Sequence, residues 1–328
     1  MDQLQQEALG CIPSRWDNRN LIYAVRAPTF TETTQIPDEY TGLSDLVKCL
    51  GSQGDIGSCT GWAGAALMKA VISLNDGRQV LPSAGSIYWR SRHYNNPPLP
   101  DDSEGSYPIS IMKLLQKDGC TTEECSPTDA VKPFELSECE EADAIAANYK
   151  IGSYHHVPID PASIKAAIYG ITYKQPYKMA DGSPGKCPLY IAIPIFGGIY
   201  SSQARNTGVV PSPVPNEYIY GFHAVILIGW KNINGEPYWV MVNSWGTDKA
   251  DNGIYYLPFD YPITEAWMIT DDPPIPNPEP DPQPDPDPQP DPQPSPCKWG
   301  NASAAVMNAV MLQSLRGRKG RFMYMNPK

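Results

Sequence analysis

A thiol, an imidazole and two carboxamides stand in this 328-residue chain in an order that suits nucleophilic acyl transfer. The string Gln53-Gly54-Asp55-Ile56-Gly57-Ser58-Cys59 brings a cysteine out of a glycine-bearing loop. Gly221-Phe222-His223-Ala224-Val225 supplies a base, and Asn243-Ser244-Trp245-Gly246 an amide beside an indole. A cysteine attacks as thiolate, so it needs a base or a positive environment, and the base needs a third group to fix its tautomer. Cys59 opens a predicted helix, whose N-terminal partial charge and unpaired N–H groups favour the thiolate. The Gln53 side-chain amide and the Cys59 backbone N–H are placed to hold a developing oxyanion together.

The elements that must position these groups are legible around them. Ala63, Leu67, Ala70 and Val71 give an apolar helical face after Cys59 that ends near Asn75-Asp76-Gly77, and a second helix is predicted over Ile109–Lys117. Strand-like runs follow at Tyr190–Phe196, Ala224–Trp230 and Tyr238–Val242. Asn234-Gly235 between the last two is a two-residue hairpin signal. That hairpin brings Asn243 within about three residues of the position opposite His223, near enough for a bulge or twist to complete the pair. The Asn243 oxygen would then fix the imidazole, and Trp245 would cover the bond. Residues 36–272 therefore read as one α+β body, with helices early and strands late.

Taken together, these strings resemble the papain family of cysteine peptidases, over roughly Ile36 to Tyr256. Ile36-Pro37-Asp38-Glu39-Tyr40 resembles the start of a mature enzyme of that family. Glu104-Gly105-Ser106-Tyr107-Pro108, followed by a helix and Asp118-Gly119, resembles its substrate-binding stretch, and Asn243-Ser244-Trp245-Gly246-Thr247 with Asn252-Gly253 matches its Asn motif. The style is closer to bacterial and viral members than to animal cathepsins. The resemblance implies a two-lobed fold, with a helical lobe bearing Cys59, a barrel-like β lobe bearing His223 and Asn243, and a cleft for an extended peptide. It implies catalysis by Cys59, His223, Asn243 and Gln53, substrate contacts at Gly105, Ser106, Ala224 and Trp245, and hydrolysis through an acyl-enzyme. Four departures accompany it. Thr60-Gly61-Trp62 follows the nucleophile, Ile56 replaces a usual cysteine, Ser106 replaces a glycine, and Lys249 stands where many relatives have tryptophan. The 164 residues from Cys59 to His223 exceed the family's spacing of about 130–150; an insertion around Tyr173–Lys186 would account for this.

Composition sets the surroundings. A net charge of −11 argues against a nucleic-acid-binding body, and no apolar run approaches the roughly 20 residues of a membrane span. Met1–Glu7 lacks the basic and apolar regions of a secretory signal, so the expectation is a cytoplasmic or virion-packaged protein with reduced thiols. None of the eight cysteines has CxxC spacing, and no metal or other cofactor is expected. Residues 1–35 form a short N-terminal segment that either blocks the cleft or packs on the body. From Pro273 to Pro296 nearly every second residue is proline, predicting an extended polyproline II linker. Residues 297–328 carry Lys298, Arg316, Arg318, Lys319, Arg321 and Lys328 without an acid, and Ala304, Met307, Met311 and Leu315 at helical spacing. This basic tail is expected to dock on a partner protein or particle, on the acidic body itself, or on a membrane or nucleic acid. Two rival readings share the constellation: a catalytically silent papain-fold binding protein, and a thiol transpeptidase or amidase.

Overall fold

The computed structural model describes residues 7–15, 36–44, 47, 48, 50–95, 97–128, 136–170 and 186–270. All lie in one unit spanning Met1–Pro274. The proline-rich run, the basic tail and nearly all of the Tyr173–Lys186 insertion lie outside the described residues.

Helix α1, Cys59–Asp76, is the centre of the first layer. Sequence periodicity gives it one apolar face, yet Ala63, Ala65, Ala66, Leu67, Met68, Ala70, Val71, Ile72 and Leu74 are all buried. The reason is tertiary: α2 (Ala84–Arg92) and α3 (Pro108–Lys117) contact α1, and so does the sheet. A helix apolar nearly all round is a core helix, and each fully buried Leu, Ile or Met there contributes about 1.5–3 kcal/mol. Gly77, at φ +71°, closes α1 in the left-handed conformation, its N–H donating to the Ser73 carbonyl. Proline at the first position starts α3, where its missing N–H is no loss.

The second layer is a six-stranded antiparallel sheet. Its strands are β1 (Ser153–His156), β2 (Leu189–Ile195), β3 (Gly221–Ile233), β4 (Glu236–Val242), β5 (Ile254–Pro258) and β6 (Glu265–Thr270), in the order β1-β6-β2-β3-β4-β5. The expected barrel-like lobe is corrected here, because β1 and β5 form separate edges and the described sheet is open. The expected hairpin is present: Ile233 pairs with Glu236 across Asn234 (φ 55°) and Gly235 (φ 87°), the positive pair that a tight twisted turn requires. The expectation of reduced thiols is also corrected, since Cys125 and Cys139 are disulfide-bonded; Cys11, Cys59 and Cys120 are free and buried, and Cys187 is buried.

Candidate active site

One irregularity in the β3–β4 hairpin decides where Asn243 points. From the turn inward, residue numbers of paired positions sum to 469 (Ile233 with Glu236, Gly229 with Val240), but beyond the bulge they sum to 468 (Leu227 with Met241, Ile226 with Val242). Ile228 is left over. A shift of one residue exchanges the faces of a strand. Continued one step, the inner register sets Asn243 opposite Val225, which shares a strand face with His223. The unshifted register would set it opposite Ile226, on the other face. With the bulge, Asn243 Oδ1 reaches His223 Nε2 at 2.7 Å.

The same oxygen accepts the Ser244 backbone N–H at 2.7 Å, so it is the carboxamide oxygen that faces the ring. His223 Nε2 is therefore the protonated nitrogen, and Nδ1, with no hydrogen-bond partner among the described residues, carries the free lone pair. Trp245 stacks on the imidazole with ring centroids 4.7 Å apart and keeps water from this bond. Trp245 is in turn stacked on Tyr200 at 5.9 Å.

Cys59 is the first residue of α1, and the preceding Ser58 makes no side-chain cap. The Ala224 N–H, one residue beyond His223, points at the Cys59 sulfur at 3.5 Å, tying α1 to β3. Gln53 is fully buried and held by Ser244. Its N–H donates to the Ser244 carbonyl at 2.9 Å, while its Oε1 accepts from Ser244 Oγ at 2.7 Å. Ser244 thus fixes both carboxamides, a role that sequence reading missed although the residue lies inside the Asn243 string.

Both donors of the Gln53 amide are engaged. Nε2 gives one hydrogen bond to the Ile56 carbonyl at 2.8 Å and the other to the Ala8 carbonyl at 2.9 Å. Ala8 belongs to a strap, residues 7–15, that runs across the front of the site. The Gly10 carbonyl accepts from Ser106 N–H at 2.9 Å, and Ile12 N–H donates to the Ser106 carbonyl at 3.0 Å, so Cys11 and Ser106 form a parallel bridge. Cys11 N–H donates to the Phe222 carbonyl at 3.3 Å. Farther on, Ser14 N–H donates to Glu265 Oε1 at 2.8 Å. The fit is close: a Cβ on Gly10 would sit 1.7 Å from the Gly57 carbonyl oxygen.

This burial governs the protonation of the site. Burial pushes the Cys59 thiol up to about 11, against the backbone N–H groups of Ala224, Gly10, Thr60 and Cys59, which draw it down. Burial likewise holds His223 down at about 4, against the Asn243 bond that raises it. Each pKa unit is about 1.4 kcal/mol, so the two-unit rise of the thiol exceeds what a helix terminus of about 0.3–2 kcal/mol supplies. In this covered state burial opposes the thiolate expected from the helix start.

The remaining residues singled out in the sequence sit along the strap. Gly105, at φ +97°, donates its N–H to Tyr88 Oη at 2.9 Å, and its carbonyl accepts from Arg92 Nη1 at 2.6 Å. Ser106 pairs with the strap as described, and its hydroxyl lies 2.8 Å from that of Ser91. Ala224 touches the thiol rather than an open groove. Arg92, buried at the end of α2, reaches the carbonyls of Gly105 and Pro100, a supporting role that nothing in the sequence pattern singled out. Glu265 was missed too; it is buried at the start of β6 and accepts from Ser14 N–H and Trp267 Nε1, which oppose the upward pull of burial on its carboxyl. Among the described residues no group of three His, Cys, Asp or Glu side chains is arranged to hold a metal ion.

Comparison with known proteins agrees with this geometry. The family of papain family cysteine proteases matches residues 40–261. A cathepsin B-like cysteine proteinase of Caenorhabditis elegans is 26% identical over 258 residues, covering 70% of this chain and 69% of its own. An uncharacterized peptidase C1-like protein of Acanthamoeba polyphaga mimivirus is 27% identical over 295 residues, covering 82% of this chain and 89% of its own. Among solved structures, xylellain, a cysteine protease from Xylella fastidiosa, superposes with a TM-score of 0.62 at 22% identity, covering 82% of this chain and 98% of its own. The chain belongs to the papain family of cysteine proteases, enzymes that hydrolyse peptide bonds in protein substrates.

Proposed function

We propose that this chain is a cysteine endopeptidase acting through a Cys59 acyl-enzyme, and that residues 7–15 cover its cleft until they are displaced. The observation that carries the reading is the tautomer: Asn243 holds the proton on His223 Nε2, leaving Nδ1 as the base. In the open enzyme His223 takes the Cys59 proton, and the thiolate attacks the substrate carbonyl. The oxyanion is held by Gln53 Nε2 and the Cys59 N–H, and the imidazolium returns its proton to the leaving amine. Water then hydrolyses the thioester with His223 again as base.

The strap is bound as an inhibitor rather than a substrate. The Ala8 carbonyl occupies the oxyanion donor, yet the group drawn to the sulfur is the Gly10 N–H, so no carbonyl carbon is presented for attack at that point. In the same reading, composition alone supports the proline-rich run and basic tail as a tether to a partner protein or particle.

Labelling with a thiol-reactive epoxide tests the assignment. Cys59 is expected to react ahead of the other free cysteines once the strap is displaced, and Cys59→Ala to lose both label and hydrolysis. Labelling spread over Cys11 and Cys120 instead would refute it.

A further inference from the structure

We infer that Lys249 is a specificity-determining residue, whose ammonium binds a carboxylate of the substrate on the leaving-group side of the scissile bond. The inference rests on the reading that the strap occupies the substrate cleft. Glu7 Oε1 meets Lys249 Nζ at 2.5 Å, with side chains 13% and 24% exposed. Arg90 pairs with Glu138 and Asp143 within the body. The strap places a paired charge at Glu7.

The position of that pair is fixed by its neighbours. Glu7 directly precedes Ala8, whose carbonyl sits on Gln53, so Lys249 acts about one residue, some 3.8 Å of chain, from the oxyanion donor. The Ser106 contacts lie at Gly10 and Ile12, on the other side of Cys59. Lys249 is four residues beyond Trp245, whose indole stacks on the imidazole that protonates the leaving amine. Tyr200 feels both the Glu7 carboxylate and the Arg205 guanidinium, and the Arg205 carbonyl accepts from Ala250 N–H at 2.6 Å. The cation that meets Glu7 directly is Lys249. When the strap leaves, its carboxylate leaves with it, and the Lys249 ammonium remains beside the leaving group without its partner.

Two carboxylates fit: an acidic side chain within two residues of the scissile bond, or the free C-terminus of a short leaving peptide. Full-length Gly10→Ala, in which the new Cβ cannot coexist with the Gly57 carbonyl, is assayed with three peptides that differ only on the leaving side. One is neutral and amidated, one carries aspartate and is amidated, and one is neutral with a free carboxylate. We expect kcat/KM about 5- to 10-fold higher for one or both anionic peptides than for the neutral one, and a ratio below one in Gly10→Ala/Lys249→Glu. The amidated aspartate arm separates an internal acidic residue from a terminal carboxylate. Equal rates for all three peptides, or a ratio that Lys249→Glu leaves unchanged, would overturn the inference. If Gly10→Ala is no more active than the parent, the strap reading fails, and the ratio is read on the parent's own turnover. Peptide affinities measured by fluorescence anisotropy on the Cys59→Ala forms give the same ratio without turnover.

Discussion

Asn243 reaches His223 across a ladder that slips by one residue, and the 2.7 Å bond between them exists because Ile228 is left unpaired. The catalytic pair is therefore a product of hairpin register, with a second anchor at the Ser244 N–H. Asn243→Ala is expected to retain the fold and lower kcat on the order of 100-fold, because the imidazole loses both its tautomer and its orientation. Steady-state kinetics on the strap-displaced form measures it; a kcat within about twofold of the parent would show that the bond is not needed.

Arg92 supports the cleft from behind, with its guanidinium on the carbonyls of Gly105 and Pro100. Arg92→Met would leave the buried Gly105 carbonyl without this donor, while the exposed Pro100 carbonyl keeps its bonds from Ser103, at a cost of about 1–3 kcal/mol. Urea denaturation should register that loss, together with a higher KM as the Gly105–Ser106 stretch loosens. Unchanged stability and KM would contradict the role.

His223 makes folding sensitive to acid in a definite direction. Its pKa is about 4 in the folded chain and near 6.5 when unfolded. Between those values the unfolded chain binds a proton that the folded chain does not, so stability falls as pH drops from about 6.5 to about 4. This residue contributes at most about 3 kcal/mol to that fall. Comparing urea denaturation at pH 7 and pH 4.5, the parent should lose more stability than His223→Gln. Equal losses would mean that the imidazole is not held neutral by burial.

Much of the site was legible because its chemistry is written in contiguous strings. Cys59 at a helix start, the Asn234-Gly235 turn and the Asn243 string each depend on local rules. The unread features depend on residues far apart in the chain. Nothing in residues 7–15 has a period, so the sequence left open whether this segment blocks the cleft or packs on the body, and the choice rests on its pairing with Ser106, Phe222, Gln53 and Glu265. The upward shift of Cys59 was unread for the same reason: helix polarity is local, whereas burial comes from packing of residues distant in the chain. The bulge at Ile228 is also nonlocal, since it sits where Tyr40 pairs with Trp230 and its carbonyl would lie 2.0 Å from a Cβ on Gly229. The open sheet depends on where β1 and β6 dock, which no turn signal encoded.

The central claim is a working thiol peptidase whose own strap lies across the cleft, and Gly10→Ala tests it most directly. Hydrolysis of a fluorogenic peptide should rise at least about tenfold over the parent, a shift of about 1.4 kcal/mol in effective barrier, and vanish in Gly10→Ala/Cys59→Ala. Activity no higher than the parent's in a folded Gly10→Ala protein, or activity that survives loss of Cys59, would contradict it.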